Sequence, residues 1–566
     1  MMNKIRKIGI MSNAFRAMAG LDSVYGYDIA VNENVSALLK YGSFEEVDYF
    51  FEPFQYQEAV IRRKYSSLKR KDKTQVDLKF ISELDLLNGS EKPKIDVLHN
   101  VDMEFMPQIY YRESCGADMF PVTYMIHGAS YPYYINNFFL MKLLVPFKLF
   151  DSLICTSSAV RSAISNILES LQYSMKDCFG IDVKYEGRLD VLPLGINTNF
   201  FSPKDKSECR NKFAISKDAF VILWIGRFSA YDKADLLPVF LACKRIVNKN
   251  PNREFKIIIA GHDRKNMPML DVMKEYVKAL GLEGNFVFLE GHNLAERAEL
   301  YSCSDVFISP IDNVQETFGL TPIEAMACGV PQIVSDWDGY KDTVEDGVTG
   351  YRIPTYWMKC DGDIEKNPML PSEPMHRSAI QHLVMAQSVA MDLRVFERCV
   401  QNLIDDPALR KKMSKNSIER ARRIYEWKEL IPRYEGLWSE LKQLKNEYQS
   451  VQNKCLDGLI FTPHYCDYFA SYPTQFLNNN TEVEITDEGK EVVEGKIRLP
   501  IHYEIEQYLG INDISMEVLK MLAQNVSLSC ERLTDILNVY SEDKVKRAIM
   551  FLLKQGYIDL FGKNVI

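Results

Sequence analysis

Residues 309–331 read SPIDNVQETFGLTPIEAMACGVP, and their pattern organises the chain around them. An apolar strand ends at Ser309, a loop with one glycine follows, and a helical pattern then leads through a short turn into the next apolar run. We predict that Thr321 caps this helix, that Pro322 takes its first position and that Glu324 completes a capping box. A helix that begins at the carboxyl end of a strand offers unpaired backbone N–H groups to a phosphate or a sugar hydroxyl. The passage therefore predicts a ligand-binding loop at the edge of a parallel sheet.

Short β-branched runs alternate with longer helical patterns on both sides of this passage, as is typical of parallel α/β domains. The runs that predict strands are Lys7–Met11, Asp96–His99, Val122–His127, Leu153–Thr156, Asp190–Leu194, Phe220–Ile225, Phe255–Ala260, Asn285–Leu289, Val306–Ser309 and Pro331–Ser335. They fall into two sets joined near Asn197–Lys204. We therefore expect the α/β fold class, with two facing, doubly wound Rossmann-like domains. Ligands of such sheets bind beyond the carboxyl ends of the strands, which places a site in the cleft between the domains.

The length, composition and net charge of the chain limit the number of domains and the class of protein. A chain of 566 residues is too long for one hydrophobic core. We predict a first domain over 1–198, a second over 199–425, a helix over 426–450 that returns to the first domain, and a module over 451–566. Apolar residues make up 46% and charged residues 26%, which is ordinary globular composition. The net charge of −9 disfavours a dedicated nucleic-acid-binding protein.

Cysteine usage and hydropathy favour a cytoplasmic protein. The 12 cysteines include no C-x-x-C pair, so buried, reduced thiols are a better interpretation than zinc or disulfides. The first ten residues include no apolar stretch of the kind that directs export. The most apolar segment, 138–147, is about half as long as a membrane-spanning helix. We expect it to be buried, and a weak association with a membrane surface is the alternative.

The last hundred residues predict a small, mostly helical domain. Helical patterns at Ser515–Gln524, Cys530–Leu537 and Asp543–Gln555 precede an apolar run at Tyr557–Leu560, and Gly556 is suited to ending a helix. This order looks like a winged helix. From Val451 onward there are 17 Asp and Glu against 11 Lys and Arg, a balance that would repel duplex DNA. A peptide-presenting module and a plain structural or dimerising domain both remain open.

The passage at 309–331 resembles the E-x7-E motif of retaining family-4 (group 1) glycosyltransferases of the GT-B fold. Glu316 and Glu324 stand at the two glutamate positions. The resemblance covers about residues 4–445. Other matching motifs are Ile225-Gly226-Arg227-Phe228 with Lys233, Met125-Ile126-His127-Gly128, and Pro193-Leu194-Gly195-Ile196-Asn197. A segment rich in Met and Pro, Tyr356–Pro374, has no counterpart in the family pattern.

The resemblance implies a role for each matching residue. The first glutamate contacts hydroxyls of the donor sugar, and the second binds the ribose of the nucleotide. Arg227 and Lys233 hold the diphosphate, and His127 faces the donor sugar. The implied catalytic set is His127, Glu316, Arg227 and Lys233. The implied donor-binding and nucleotide-binding set is Gly226, Arg227, Lys233, Phe318, Gly319, Leu320 and Glu324. Each of these charges could instead be an ordinary capping or surface residue, and His127 could be a structural histidine.

The activity implied is a hexosyltransferase of class EC 2.4. It would move a sugar from a nucleotide-diphosphate donor, UDP- or GDP-linked, to a glycan, peptide or small molecule with retention of configuration. The nucleotide sugar is a co-substrate, and we expect no other cofactor. We also expect metal-independent transfer, on the interpretation that the donor domain carries no Asp-x-Asp metal motif. In this view the first domain is the acceptor side and the second binds the donor. The alternatives are a sugar-nucleotide epimerase of the same fold, or a non-enzymatic scaffold or regulator that carries a winged-helix module.

Overall fold

The structure, a computed structural model, describes residues 4–11, 26–51, 76–82, 93–101, 107–116, 119–263, 268–291, 294–360, 362–366, 378–448, 465–500 and 510–562. These residues form two compact units. The larger unit comprises the described residues up to Tyr448, and the smaller begins at Tyr465.

The larger unit begins with a seven-stranded sheet in which every neighbouring pair of strands is parallel. Its strands are β1 (Lys7–Met11), β2 (Glu46–Phe51), β3 (Asp77–Ser82), β4 (Val97–Asn100), β5 (Val122–Ile126), β6 (Ser152–Cys155) and β7 (Arg188–Val191). The order across the sheet is β3-β2-β1-β4-β5-β6-β7, so the order of addition reverses between β1 and β4. Strands β4, β5 and β6 are buried along their whole length, as is usual for the central strands of a parallel sheet.

Helices connect these strands. They are α1 (Gly26–Tyr41), α2 (Pro107–Cys115), α3 (Leu140–Leu144) and α4 (Ser158–Phe179), and a π-helical turn (Tyr134–Phe139) precedes α3. Within the apolar segment 138–147, Phe139 is fully buried and Lys142 is 1% exposed. Lys142 lies against the ring of Tyr124 at 3.7 Å. The segment is therefore part of the protein interior, and the membrane-surface alternative for it is wrong.

A second parallel sheet of six strands repeats the same winding. Its strands are β8 (Phe220–Phe228), β9 (Phe255–Asp263), β10 (Phe286–Glu290), β11 (Val306–Ser309), β12 (Gln332–Ser335) and β13 (Gly350–Ile353). The helices around them are α5 (Lys206–Lys212), α6 (Leu237–Lys249), α7 (Leu270–Leu280), α8 (Leu294–Cys303), α9 (Leu320–Ala327) and α10 (Tyr340–Thr343). The order β10-β9-β8-β11-β12-β13 places the reversal between β8 and β11. The expected pair of doubly wound domains, the GT-B arrangement, is confirmed.

After β13 the chain leaves the sheet and forms an insertion before it continues. The elements of the insertion are β14 (Thr355–Trp357), α11 (Gly362–Glu365), α12 (Ser378–Ala386) and β15 (Val389–Met391). β14 and β15 pair antiparallel, with Thr355 opposite Met391. The helices that follow are α13 (Leu393–Asp405), α14 (Pro407–Arg420) and α15 (Trp427–Glu447), and a π-helical turn (Ala421–Tyr425) lies between α14 and α15.

The last helix of this unit, α15, lies against the first domain. The amide of Asn34 on α1 donates to the hydroxyl of Tyr434 at 3.5 Å, and Lys442 pairs with Asp96 at 2.6 Å. Trp438 is fully buried, with its ring 5.3 Å from that of His99. The helix runs through Pro432 without a break.

The smaller unit is a separate fold with its own core. Its elements are α16 (Tyr465–Tyr468), β16 (Glu482–Ile485), α17 (Asp487–Val493), α18 (Asn512–Leu522), β17 (Leu528–Ser529), α19 (Cys530–Ile536), α20 (Glu542–Gln555) and β18 (Ile558–Leu560). The strands form an antiparallel sheet in the order β17-β16-β18. Gly556 ends α20 with a φ of +78°, as its position predicted. The winged-helix description stays an interpretation.

None of the helices in the part of the chain that the structure describes is long and apolar enough to cross a membrane.

Candidate functional site

The reversal in the second sheet brings together residues that are far apart in the sequence. β8 ends in Gly226, Arg227 and Phe228, and β11 ends at Ser309, immediately before the loop that contains Glu316. In an open parallel sheet the strands on either side of the reversal leave a crevice at their carboxyl ends. Lys233 follows β8 and reaches across that crevice to Glu316. The site predicted from sequence therefore forms at the position that the topology favours.

Lys233 and Glu316 form a shielded ion pair. The Nζ of Lys233 lies 2.9 Å from Oε2 of Glu316, and the two side chains are 28% and 14% exposed. Oε1 of Glu316 accepts backbone N–H groups of Phe318 at 3.4 Å and Gly319 at 3.1 Å. Burial raises the pKa of Glu316, but Lys233 and the backbone donors outweigh that effect, and the pKa is lowered overall. Glu316 is thus held as a carboxylate.

Gly319 sets the backbone of this loop. Its φ is +88°, a conformation that favours glycine, and it caps the N-terminus of α9. A Cβ at this position would lie 2.1 Å from Cε1 of Tyr340. The predictions that Thr321 caps the helix and that Pro322 takes its first position are wrong, because α9 begins two residues earlier, at Leu320. The loop is held by the carboxylate of Glu316 rather than by a hydroxyl.

Arg227 also has a carboxylate partner. Its Nη2 lies 3.1 Å from Oδ2 of Asp232, whose side chain is 3% exposed. Gly226 pairs with Gly261 across β8 and β9, and a Cβ on Gly261 would lie 1.8 Å from the carbonyl oxygen of Gly226. The two strands therefore approach closely just before Arg227. Strand β8 extends to Phe228, three residues beyond the predicted end, so Arg227 is still in the strand.

Glu324 lies one helical turn inside α9 and is 4% exposed. Its Oε2 accepts from the hydroxyl of Tyr301 at 2.8 Å and pairs with Arg297. Burial raises the pKa of Glu324, and Arg297 acts in the opposite direction. The predicted capping box is wrong, because both of these bonds tie Glu324 to α8 rather than to the start of its own helix. Both bonds are made by Oε2.

His127 follows β5 in the first domain. Its Nε2 donates to the carbonyl oxygen of Val101 at 2.8 Å, and burial lowers its pKa to about 4. The imidazole is therefore neutral near pH 7. The backbone of His127 also meets the second domain, because the hydroxyl of Thr317 donates to the His127 carbonyl oxygen at 3.2 Å. Glu316 and His127 are thus connected through the residue that follows Glu316.

Phe318 and Leu320 are the remaining predicted residues of the loop. Phe318 is 1% exposed, and its ring packs against Tyr425 at 6.0 Å. Leu320 is the first residue of α9. The sequence analysis missed four residues that pair with or adjoin the predicted ones. They are Asp232, Arg297, Tyr301 and Thr317. Asp232 and Thr317 adjoin predicted residues in sequence, but no local signal indicates Arg297 or Tyr301.

Paired carboxylates do occur in the second domain, contrary to the expectation that none would. The spacing Asp-x-Asp stands at 336–338 and at 361–363, and the second lies partly outside the described residues. Asp336 pairs with Arg352 at 3.3 Å. Within the described residues no group of three His, Cys, Asp or Glu side chains could hold a metal ion. Metal-independent activity stays a prediction.

Comparison with known proteins identifies the region that carries this site. Residues 205–366 match the family model described as glycosyl transferases group 1. That range includes Arg227, Lys233, Glu316 and Glu324.

Curated relatives match over a similar part of the chain. The D-inositol 3-phosphate glycosyltransferase of Streptosporangium roseum is 26% identical over 207 residues, which is 36% of this chain and 45% of that protein. The enzyme of the same name from Actinosynnema mirum is 29% identical over 166 residues, 29% of this chain and 39% of the relative. The chain thus spans less than half the length of these relatives.

Structural alignment with solved structures covers more of the chain, at lower sequence identity. A sucrose-phosphate synthase from Thermosynechococcus elongatus has a TM-score of 0.48 and 17% identity, over 78% of this chain and all of that one. The HepE protein of Anabaena in complex with UDP has a TM-score of 0.49 and 14% identity, over 77% of this chain and all of that one.

Proposed function

We propose, from the membership of residues 205–366 in the group 1 glycosyltransferases, that the protein transfers a sugar from a nucleotide-diphosphate donor to an acceptor. The donor is a UDP- or GDP-sugar, the acceptor is a glycan, peptide or small molecule, and the configuration at the anomeric carbon is retained. We place this activity in the cytoplasm. The observation that carries the proposal is the Lys233–Glu316 pair at the reversal of the second sheet, with Arg227 beside it.

The proposed reaction develops charge in two places. The bond between the anomeric carbon and the diphosphate oxygen breaks, and the diphosphate leaves with the electron pair. The acceptor oxygen forms a bond to the same carbon and loses its proton to an oxygen of the departing diphosphate. Arg227 and Lys233 provide positive charge for the leaving diphosphate, and their carboxylate partners hold them in place. Fixed charges of this kind act most strongly when they are shielded from water.

The other residues position the donor. Glu316, ionised and fixed by backbone N–H groups, would accept hydrogen bonds from sugar hydroxyls. Oε1 of Glu324 would accept a bond from a ribose hydroxyl while Oε2 keeps its contact with Tyr301. His127, neutral and oriented by the Val101 carbonyl, would face the sugar from the first domain. Each assignment follows the family pattern and the geometry of the side chain named.

The first test is a panel of sugar nucleotides, scored by thermal stabilisation and by release of free nucleotide. At least one donor should raise the melting temperature and be hydrolysed slowly. An epimerase would convert the sugar without releasing nucleotide. A scaffold would neither bind nor turn over any member of the panel.

The second test replaces the ion pair. Glu316→Gln and Lys233→Met should each lower the turnover number for the best donor by about a hundredfold or more, equivalent to about 3 kcal/mol. Lys212→Met is a matched control, because it breaks another Lys–Glu pair of the same domain, in which the Lys212 side chain is 47% exposed. Circular dichroism checks that each variant is folded. Near-normal turnover in a folded Glu316→Gln variant would contradict the assignment.

A further inference from the structure

The segment between β13 and α13 includes Tyr356–Pro374, which we predict to have no counterpart in the family pattern, and it carries a buried histidine further along the chain. His382 lies on α12 and is 1% exposed. Its neighbours on the same helix, Ile380 and Val384, are 62% and 44% exposed. α12 thus has one exposed face and one buried face, and a polar ring on the buried face needs a hydrogen-bond partner.

His382 is buried against the first domain. Its Nε2 lies 3.4 Å from the carbonyl oxygen of Ser130, and its ring centroid is 4.5 Å from that of Tyr131. Because a carbonyl oxygen can only accept, Nε2 carries the hydrogen. Burial lowers the pKa of His382, which agrees with a neutral ring in this tautomer. The contact thus joins the insertion of the second domain to a loop of the first.

That loop begins at His127. The second domain contacts it at both ends, since Thr317 donates to the carbonyl of His127 at 3.2 Å and His382 donates to the carbonyl of Ser130. The same ring is also within electrostatic range of the carboxylate of Asp232, the partner of Arg227. His382 therefore contacts the loop of His127 and is subject to the charge of Asp232.

We propose that His382 is a positioning residue, which fixes the His127–Tyr131 loop against the second domain so that His127 meets the donor sugar in the reactive geometry. This proposal rests on the proposed function. The hydrogen bonds from Thr317 and from His382 hold opposite ends of the loop. The loss of either bond would therefore allow the loop to shift. A displacement of about 1 Å at a reacting centre can cost up to about a hundredfold in rate. Donor binding, which depends on groups of the second domain, should change much less.

The test uses the full chain and the best donor found in the panel of UDP-glucose, UDP-N-acetylglucosamine and GDP-mannose. His382→Ala should lower the turnover number for donor hydrolysis about tenfold. The dissociation constant of the donor should stay within about twofold. His382→Gln keeps an N–H that can reach the Ser130 carbonyl and should recover most of the rate. His382→Phe keeps the packing on Tyr131 but has no N–H group to donate to the Ser130 carbonyl. The turnover number of this variant should therefore stay low.

Val384→Ala, an exposed site on the same helix, is the control and should behave as the wild type. A folded His382→Phe variant with wild-type turnover would overturn the proposal even if His382→Ala failed to fold. Loss of donor affinity in parallel with turnover would also overturn it, since it would indicate a general structural role. If instead the wild-type chain bound none of the panel, the proposed function would fail rather than the assignment of His382.

Discussion

The acidic residues around the crevice lie in opposite electrostatic environments. Glu316 has a pKa lowered by Lys233 and by backbone N–H groups that overcome burial, whereas burial raises the pKa of Glu324. Burial also raises the pKa of Asp338 well above its usual range, and the nearby charge of Glu316 adds to that effect. A donor that drew Lys233 away from Glu316 would weaken the main stabilisation of that carboxylate. Sugar hydroxyls donating to Glu316 would restore it.

Glu33 on α1 provides a prediction about stability. Its carboxylate accepts from the indole N–H of Trp427 at 3.3 Å, and burial raises its pKa to about 7. The folded chain therefore binds this proton more tightly than the unfolded chain, for which the ordinary value is 4.5. Below pH 4.5 Glu33 is protonated in both the folded and the unfolded chain, so it does not lower the free energy of unfolding. As the pH rises from 4.5 to about 7, Glu33 ionises in the unfolded chain first and increasingly lowers the free energy of unfolding. Glu33→Gln should therefore stabilise the protein at pH 8 by about 1–3 kcal/mol and change little at pH 4.5.

Urea unfolding at the two pH values measures this difference. Glu429→Gln, which removes a carboxylate about half exposed at the start of α15, is the control and should show no such dependence on pH. Equal stability of Glu33→Gln and the wild type at pH 8 would mean that Glu33 is ionised without cost in the folded chain.

Sequence could identify the residues of the site but not their partners. Lys233, Glu316 and Glu324 stand in local motifs with fixed spacing, so they are recognisable one by one. Arg297 and Tyr301, which hold Glu324, are 27 and 23 residues away from it on another helix. His382 contacts a carbonyl 252 residues away, and nothing in its neighbourhood in the sequence indicates that contact. Pairings of this kind arise from tertiary packing.

At the scale of elements, the N-terminus of α4 has two functions. The hydroxyl of Ser157 accepts from the N–H of Val160 at 3.2 Å, which caps the helix, and donates to the carbonyl oxygen of Thr317 at 2.9 Å. Ser157→Ala should remove both contacts and lower the free energy of unfolding by about 2 kcal/mol. Because Thr317 adjoins Glu316, the Michaelis constant for the donor should rise about fivefold, as expected for one lost hydrogen bond.

A second helix cap separates the two effects of that substitution. Asp205 caps α5 by accepting from the N–H of Glu208 at 2.8 Å, and it belongs to the same unit. Asp205→Ala should lower the melting temperature to a similar degree without changing the Michaelis constant. If Ser157→Ala likewise changed only stability, its contact with Thr317 would have no functional role.

Sequence patterns missed the two strands at one edge of the first sheet, β2 and β3, and the edge strand β13 of the second sheet. Strands β2 and β3 carry charged residues, and Lys7 pairs with Asp48 at 3.0 Å and Lys79 with Glu46 at 3.6 Å. Cross-strand ion pairs interrupt the apolar runs that predict a strand, and they are favoured near a sheet edge. The central strands, buried on both faces, were found within a few residues of their bounds. Burial alone does not decide which strands can be predicted, because the partly exposed edge strands β7 and β10 were also found.

At the scale of the whole chain, the two compact units have separate cores. The core of the first domain includes residues of α15 up to Leu441. The core of the smaller unit runs from Val483 to Ile558 and, among the described residues, draws on none from the larger unit. Each unit thus contains the apolar surface that it needs to fold, which is the usual property of an independent domain.

The last prediction is that the smaller unit governs the acceptor and not the donor. A chain ending at Tyr448 keeps α15 and every residue proposed to bind the donor. It should therefore fold. Its affinity for the best sugar nucleotide should stay within about twofold of that of the full chain, because no group proposed to contact the donor is removed. It should also hydrolyse that donor at a similar rate. Transfer to the acceptor of the full chain should fall sharply, because holding two reactants in register supplies much of the rate of a bimolecular reaction.

Nucleotide release with and without the acceptor measures both activities, and the smaller unit expressed alone tests acceptor binding directly. Equal transfer by the truncated and full chains would show that the smaller unit has no part in acceptor use. Precipitation of a chain ending at Tyr448 would instead assign that unit a structural role.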